Sequence, residues 1–438
     1  MAPGRQAAAR LRRRALFALA VAAAVAAASE AASFLALWAL EGGAGGFRVV
    51  AQERQRQRGA VAGPAASAAR ASLPRDLAEN ALHSYLGVVG DPDQDPGFSQ
   101  YGFWGALGPP PPRRDPAKLL VVVVGGSLAA DFASEGGRRL EERLARAPEY
   151  AGRKIVVLNA AHGGHKQPQQ LMCLAYLLAL GAEMDVLVNL DGFNEVALDA
   201  VENGPQGVFP LYPRSWALQM AGLDEPGLLV AAGKVAYLRD ERRALADRFS
   251  GPARRGMTGS LVWRQLDRVV AAQLARAQAE VARYRPRHRY RLTGPPRALA
   301  SESEVYDELA RAWEVGSLQL HRLCRANGIR YVHFLQPNQY VEGSKPLGAD
   351  ERKVAFRDDH PYRRGVAAGY PRLRERGARL RAQGVAFTDL TGIFAGRREA
   401  LYVDDCCHVG PAGYALIADA VADGLLAPVA SSPKAGPE

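Results

Sequence analysis

Leu119-Leu120-Val121-Val122-Val123-Val124-Gly125-Gly126-Ser127-Leu128 is the stretch from which the architecture of this chain can be read. An apolar run this short and this rich in valine reads as a strand buried on both faces. The two glycines then allow a sharp turn, and Ser127 falls at the start of a helix, where backbone N–H groups converge on negative charge. Ser is also a favoured helix N-cap, and taken alone that is the simpler reading of the position. A phosphate-cradling turn is disfavoured, because neither GxGxxG nor GxxxxGK[ST] is present.

Moving outward, the same strand-then-helix alternation repeats. Strands are expected at Leu119–Val124, Ile155–Leu158, Val186–Leu190, Ile329–Leu335 and Val385–Thr388. Helices are expected up to about Arg146, from about Gln167 to Leu180, from Glu302 to Ala326, around Tyr370 to Gln383, and after Pro411. This repetition implies an α/β fold with a five-stranded parallel sheet covered on both faces. After Asn194 the pattern lapses into Arg- and Ala-rich helical sequence, including Leu261 to Tyr284, which reads as a helical insertion over about 201–300.

Upstream of the sheet, Arg5, Arg10, Arg12, Arg13 and Arg14 precede an apolar run from Ala15 to Leu40, interrupted by Glu30. A run of this length can cross a bilayer, which takes about 20 residues. We read residues 1–41 as an uncleaved membrane anchor. The rival is a signal peptide with Ala15 to Ala28 as its core and a cut near Ser29. Either way the arginines stay inside, and the bulk of the chain is expected in a periplasmic or extracellular space. Residues 42–75 read as a linker, 76–427 as the main domain, and 428–438 as a disordered tail. Within the main domain, Asn80 to Gly105 mixes aromatic residues with turn formers and is expected to pack irregularly against the sheet.

With 438 residues, 48% of them hydrophobic, the chain can bury a sizeable core. Its formal charge of +11 comes from arginines scattered through Ala-rich segments. They are not clustered with aromatic residues, so a nucleic-acid partner is not expected. Cys173, Cys324, Cys406 and Cys407 are too few and too uneven for a disulfide framework, and they lack zinc-site spacing. Neither metal nor cofactor is expected, and the oligomeric state is not legible.

In an open parallel sheet, ligands bind beyond the carboxyl ends of the strands. Four candidate segments fall there: the Ser127 turn, Asn159-Ala160-Ala161-His162-Gly163-Gly164, Gly192-Phe193-Asn194-Glu195, and Asp405-Cys406-Cys407-His408. A serine hydroxyl is a poor nucleophile unless a carboxylate-oriented histidine takes its proton. His408 is the candidate base and Asp405 the candidate orienter, with Asp404 a competitor that spacing does not exclude. Gly164 and Asn194 are candidate donors to an oxyanion, against the plainer readings of a turn and an N-cap. Glu195 reads equally well as a first-turn carboxylate. His162, His165 and Lys166 read as a solvated polar loop. His83, His321, His333 and His360 receive no role.

Taken in order, these four blocks resemble those of the SGNH, or GDSL, hydrolase family, most of all its membrane-anchored bacterial members. The resemblance spans about Leu119 to Leu425. It implies a three-layer α/β/α flavodoxin-like fold, with Ser127 as nucleophile, Asp405 and His408 completing the triad, and Gly164 and Asn194 in the oxyanion hole. The family's usual Asp before the nucleophile is Gly126 here, and the acid after Asn194 is Glu rather than Asp. The implied activity is hydrolysis of an ester-linked acyl group on an envelope glycan or lipid, through an acyl-enzyme. Transfer of the acyl group to an envelope polysaccharide, and a catalytically silent envelope scaffold, are the alternatives.

Overall fold

The computed structural model describes residues 3–41, 46–59, 80–221, 226–251, 254–283, 290–296 and 301–427. The strands, in chain order, are β1 (Asn80–His83), β2 (Gly87–Gly90), β3 (Lys118–Gly125), β4 (Lys154–Asn159), β5 (Val186–Asp191), β6 (Arg330–Leu335) and β7 (Ala386–Asp389). β1 and β2 form a separate antiparallel hairpin, while the other five make a parallel sheet in the order β4-β3-β5-β6-β7. Numbered within that sheet the order is 2-1-3-4-5, that of doubly wound flavodoxin-like sheets, whose switch point lies between the first and third strands. Here that point falls between β3 and β5. The mixed α/β architecture, with helices separating the strands, is compatible with three layers.

β3 is an interior strand, paired with β4 and β5, and its Val121, Val122, Val123 and Val124 have no exposed surface. Burial on both faces is why its sequence is continuously apolar rather than alternating. The expected strands all form, each end within one residue of the expectation. The helix Glu302–Ala326 also forms as expected, opened by a reciprocal cap in which the Ser301 hydroxyl accepts from the Glu304 N–H at 3.3 Å and the Glu304 carboxylate accepts from the Ser301 N–H at 3.0 Å. Its inward stripe includes Tyr306, Leu309, Trp313, Leu320 and Cys324. The helix expected around Tyr370 begins earlier, spanning Pro361–Ala382 and running through Pro371.

The chain divides into two compact units, one combining residues 1–74 with 225–284, the other 75–224 with 285–438. This departs from the expected organisation at two places. The first lies within 42–75, read as a linker, where Gly46–Gly59 is a helix whose Val50 is buried with Leu37, Leu245, Ala246 and Trp263; residues 60–75 lie outside the described set. The second is the expected insertion. Its helices Pro226–Arg248 and Met257–Ala282 belong to the smaller unit, whereas its flanks belong to the larger. The 428–438 tail is outside the described residues.

The smaller unit holds the apolar N-terminal helix, Pro3–Leu40, of which Arg13–Leu40 is long and apolar enough to cross a membrane. The Glu30 carboxylate accepts the N–H groups of Met257 (2.5 Å) and Thr258 (3.2 Å), capping the helix Met257–Ala282 where Gly256 offers no side chain. Glu41 binds Arg264 at 2.7 Å and Arg268 at 2.9 Å. Glu30, which interrupts the apolar run in the sequence, is thus a helix-capping ligand.

Candidate active site

Ser127 sits in the larger unit at the carboxyl end of β3. Gly125 has φ +146°, and a Cβ there would lie 2.1 Å from the Leu190 carbonyl oxygen of β5, so only glycine lets the turn pass this close to its neighbour. The helix Ser127–Asp131 has Gly126, not Ser127, at its N-cap. The serine hydroxyl is therefore not used as a cap. It lies 2.8 Å from His408 Nε2 instead.

His408 Nδ1 lies 2.5 Å from Asp404 Oδ2. The expectation that Asp405 orients the histidine is corrected here. Asp404 is the partner, and the Asp405 carboxylate turns away toward Arg357 (3.7 Å) and His360 (3.9 Å). The reason lies in the tight turn that follows Asp404. Its Oδ1 accepts the backbone N–H groups of Cys406 (3.0 Å), Cys407 (3.0 Å) and His408 (3.1 Å), which wraps the loop around the carboxylate and brings the histidine ring back onto Oδ2.

The outer side of that loop is held by three consecutive residues that sequence reading missed. Asn338 Nδ2 donates to the Cys406 carbonyl, Gln339 Nε2 to the Asp404 carbonyl and the Tyr340 hydroxyl to the Asp405 carbonyl, each at 3.0 Å. The strand-like approach to the loop is anchored by Glu351. This carboxylate pairs with buried Lys345 at 2.7 Å and accepts the N–H groups of Leu401 (2.8 Å) and Tyr402 (2.9 Å). Their sequence signal was weak, because each acts on backbone far away in the chain.

Burial alone would pull the His408 pKa down, but the hydrogen bond and charge of Asp404 outweigh it, helped by Cys406 and Asp131, and lift it to about 9. Burial likewise pushes Asp404 up, yet the His408 contact and the loop N–H groups hold it below the ordinary carboxylate range. The resting pair is a carboxylate and an imidazolium. Asp131, one turn beyond Ser127, is raised by burial against the opposing pull of His408 and of the Tyr414 hydroxyl, which donates to it at 3.0 Å.

Asn194 follows β5, so the switch point between β3 and β5 places it beside the serine turn. A Cβ on Gly126 would lie 2.1 Å from Asn194 Nδ2, and that nitrogen donates to the His165 carbonyl at 2.8 Å. Gly126, where the resembled family carries Asp, leaves the space this amide fills. Glu195 is fixed rather than free. Its carboxylate accepts the N–H groups of Gly192 (2.9 Å) and Gln167 (3.0 Å), and burial followed by the nearby Asp191 charge raises it to about 8.

The loop after β4 is not the solvated polar loop expected. His162, His165 and Lys166 are all buried. His162 Nε2 meets Asn80 Oδ1 at 2.8 Å, His165 Nε2 meets the Val88 carbonyl at 2.9 Å, and Lys166 Nζ donates to the Pro210 carbonyl. Burial drops the pKa of His165 to about 4 and that of His162 well below its usual value, so both are neutral near pH 7. They dock the loop under the β1–β2 hairpin. Gly164, with φ +80°, lies against the Arg214 side chain, while the adjacent Gly163 reaches the cavity wall. His333, given no role from sequence, is buried between Asp191 (2.8 Å) and Ser317 (2.7 Å) in a polar network under the sheet end.

A cavity of about 710 Å³ opens over Ser127. Asp131, Ser134 and Glu135 form one wall, carried on the serine helix and the π-helical turn Phe132–Gly136 that continues it. Asn80, Phe98 and Trp104 form another, with the Phe98 and Trp104 rings edge to face at 5.2 Å. The irregular segment after β2, legible only as packing material, thus lines the site. Cys406, Cys407 and His408 offer ligand atoms within 4.8 Å of one another. Both imidazole nitrogens are already engaged with Asp404 and Ser127, and the two sulfurs lie 3.5 Å apart in contact with each other.

No protein-family model matches this chain. No curated protein matches it closely enough to count as a relative.

Proposed function

We propose that this protein is a serine esterase or deacylase of the SGNH type. The observation that carries the reading is the series Ser127 Oγ, His408, Asp404, joined at 2.8 and 2.5 Å at the mouth of a cavity and at the switch point of the sheet. Residues that are 281 positions apart meet in hydrogen-bonding geometry, which a helix cap and a surface histidine have no reason to do.

In this mechanism His408, once it has lost its extra proton, takes the Ser127 proton as the hydroxyl attacks an ester carbonyl. Asp404 holds the ring with Nδ1 protonated and stabilises the imidazolium that forms. The developing oxyanion is met by the Ser127 N–H, the Asn194 amide and an N–H of the Gly163–Gly164 turn. His408 then protonates the leaving alcohol, and water activated by the same ring releases the acyl group. The N-terminal helix and its arginines support a membrane-anchored enzyme with the catalytic unit on the outer side, facing an acylated envelope glycan or lipid. No further cofactor is needed for this sequence of steps.

The test is labelling of the full chain with a fluorophosphonate probe, beside Ser127→Ala and His408→Ala. The wild-type protein is expected to label at Ser127 and both variants to lose the label. Persistent labelling of Ser127→Ala removes the nucleophile.

A further inference from the structure

Two cysteines lie between the acid and the base of the triad, and nothing in the mechanism uses them. Cys406 and Cys407 are both free thiols, with their sulfurs 3.5 Å apart. Their accessibility differs. Cys406 is partly exposed, whereas Cys407 has 1% of its surface exposed.

Their backbone is bound into the catalytic geometry. The N–H groups of both residues hold Asp404 Oδ1, and the Cys406 carbonyl is fixed by Asn338. A disulfide between them would need the sulfurs to close to about 2.0 Å. Neighbouring Cα atoms are about 3.8 Å apart, shorter than the roughly 4.4 Å minimum usual for disulfides. The ring can therefore close only by turning the Cys406–Cys407 peptide. That peptide carries the Cys407 N–H, one of the three donors that wrap the loop around Asp404. Closing the ring and keeping the present acid–base alignment are in conflict, and a strained disulfide of this kind is easily reduced again.

We propose that Cys406 and Cys407 are a reversible thiol-modification site, taking small disulfide-bearing oxidants, and that the resulting vicinal disulfide pulls Asp404 away from His408. Cys406, the accessible sulfur, attacks one sulfur of RS–SR as its thiolate and expels RS⁻, giving a mixed disulfide. Cys407, held protonated in the reduced protein by its hydrogen bond to Cys406 and by burial, is the resolving thiol. It gives its proton to RS⁻ and attacks the Cys406 sulfur, expelling the second RS⁻, which takes up from solvent the proton that Cys406 released on ionising. Overall the two protein thiols lose two electrons and two protons, and the oxidant leaves as two RSH. The proposal rests on the esterase reading only where it makes the alignment of His408 matter to Ser127.

The experiment uses the full chain, reduced and then incubated with oxidised glutathione. The peptide holding both cysteines is expected to become lighter by two hydrogen atoms and to revert with dithiothreitol. The Cys407→Ser variant should stop as a glutathione adduct on Cys406, and Cys406→Ser should not react at this site. In protein with isotope-labelled histidine, followed by NMR and assigned with His408→Gln, oxidation should move the His408 titration down by about two pH units as the carboxylate is withdrawn. Two results overturn the proposal. One is thiols that stay free, and the other is a disulfide that forms while His408 still titrates near 9. Failure of the esterase reading appears separately, as absent fluorophosphonate labelling of the fully reduced protein.

Discussion

Replacing Asp404 by asparagine isolates the electrostatic contribution of the proposed triad acid while leaving its shape. The carbonyl oxygen of the new side chain would still accept the N–H groups that now converge on Oδ1, so the loop has reason to keep its path. The His408 ring would lose its charged partner 2.5 Å away. Lifting an imidazole from 6.5 to about 9 corresponds to about 3 kcal/mol of stabilisation of the charged ring, or a few hundredfold in rate if lost from the transition state. The introduced amide also donates to Nδ1, forcing the ring proton onto Nε2, where it blocks acceptance from Ser127. That wrong tautomer can deepen the loss to about 10⁴-fold.

The pH profile separates this from simple misfolding. A base must be neutral to act, so wild-type turnover of an ester is expected to rise with pH through about 9, and Asp404→Asn should move that limb to 6.5 or below at a far lower plateau. Stability carries the same signature. The raised His408 pKa contributes fully below 6.5 and is lost as pH rises through about 9, whereas the depressed Asp404 pKa contributes above 3.8 and is lost in acid. The stability gap between wild type and variant should thus be widest between those two ordinary values. Asp405→Asn is the control, expected to stay within about threefold of wild type because its carboxylate faces Arg357 and His360. An Asp404→Asn enzyme with near-normal rate and an unmoved limb, or an Asp405→Asn enzyme that takes the loss, would refute the reasoning.

Asn194→Ala is expected to lower ester turnover by about a hundredfold or more with the fold intact, since an oxyanion donor contributes about 2.7 to 4 kcal/mol. Gly126→Ala should reproduce much of that loss, because its methyl would meet the Asn194 amide nitrogen at 2.1 Å while the backbone, at φ −86°, accepts alanine; steady-state rates beside thermal melting check both, and an unimpaired Gly126→Ala enzyme would sink the placement of the amide. Protease added to intact cells should digest the C-terminal part of the chain, and a fully protected C-terminus would contradict the outward orientation.

The sheet was legible because its strands are short, continuously apolar and punctuated by glycine, so that burial on both faces is written locally. Other features were hidden for identifiable reasons. His162 and His165 look like loop residues until the β1–β2 hairpin covers them. Gly46–Gly59 looks like linker until Val50 and Arg54 meet Trp263 of a helix two hundred residues away. The choice between Asp404 and Asp405 depends on how three N–H groups wrap one carboxylate, and residue type does not encode that direction.

From the sequence alone came the parallel α/β architecture, the apolar N-terminal helix, and a serine and a histidine each at the right kind of loop. These follow from hydrophobic period and turn chemistry, which act over a few residues. Tertiary structure decided which aspartate serves the histidine, which glycine reaches the cavity, and that the sequence around Trp104 lines it. Those outcomes depend on distances between segments far apart in the chain, set only when the whole core packs around β3.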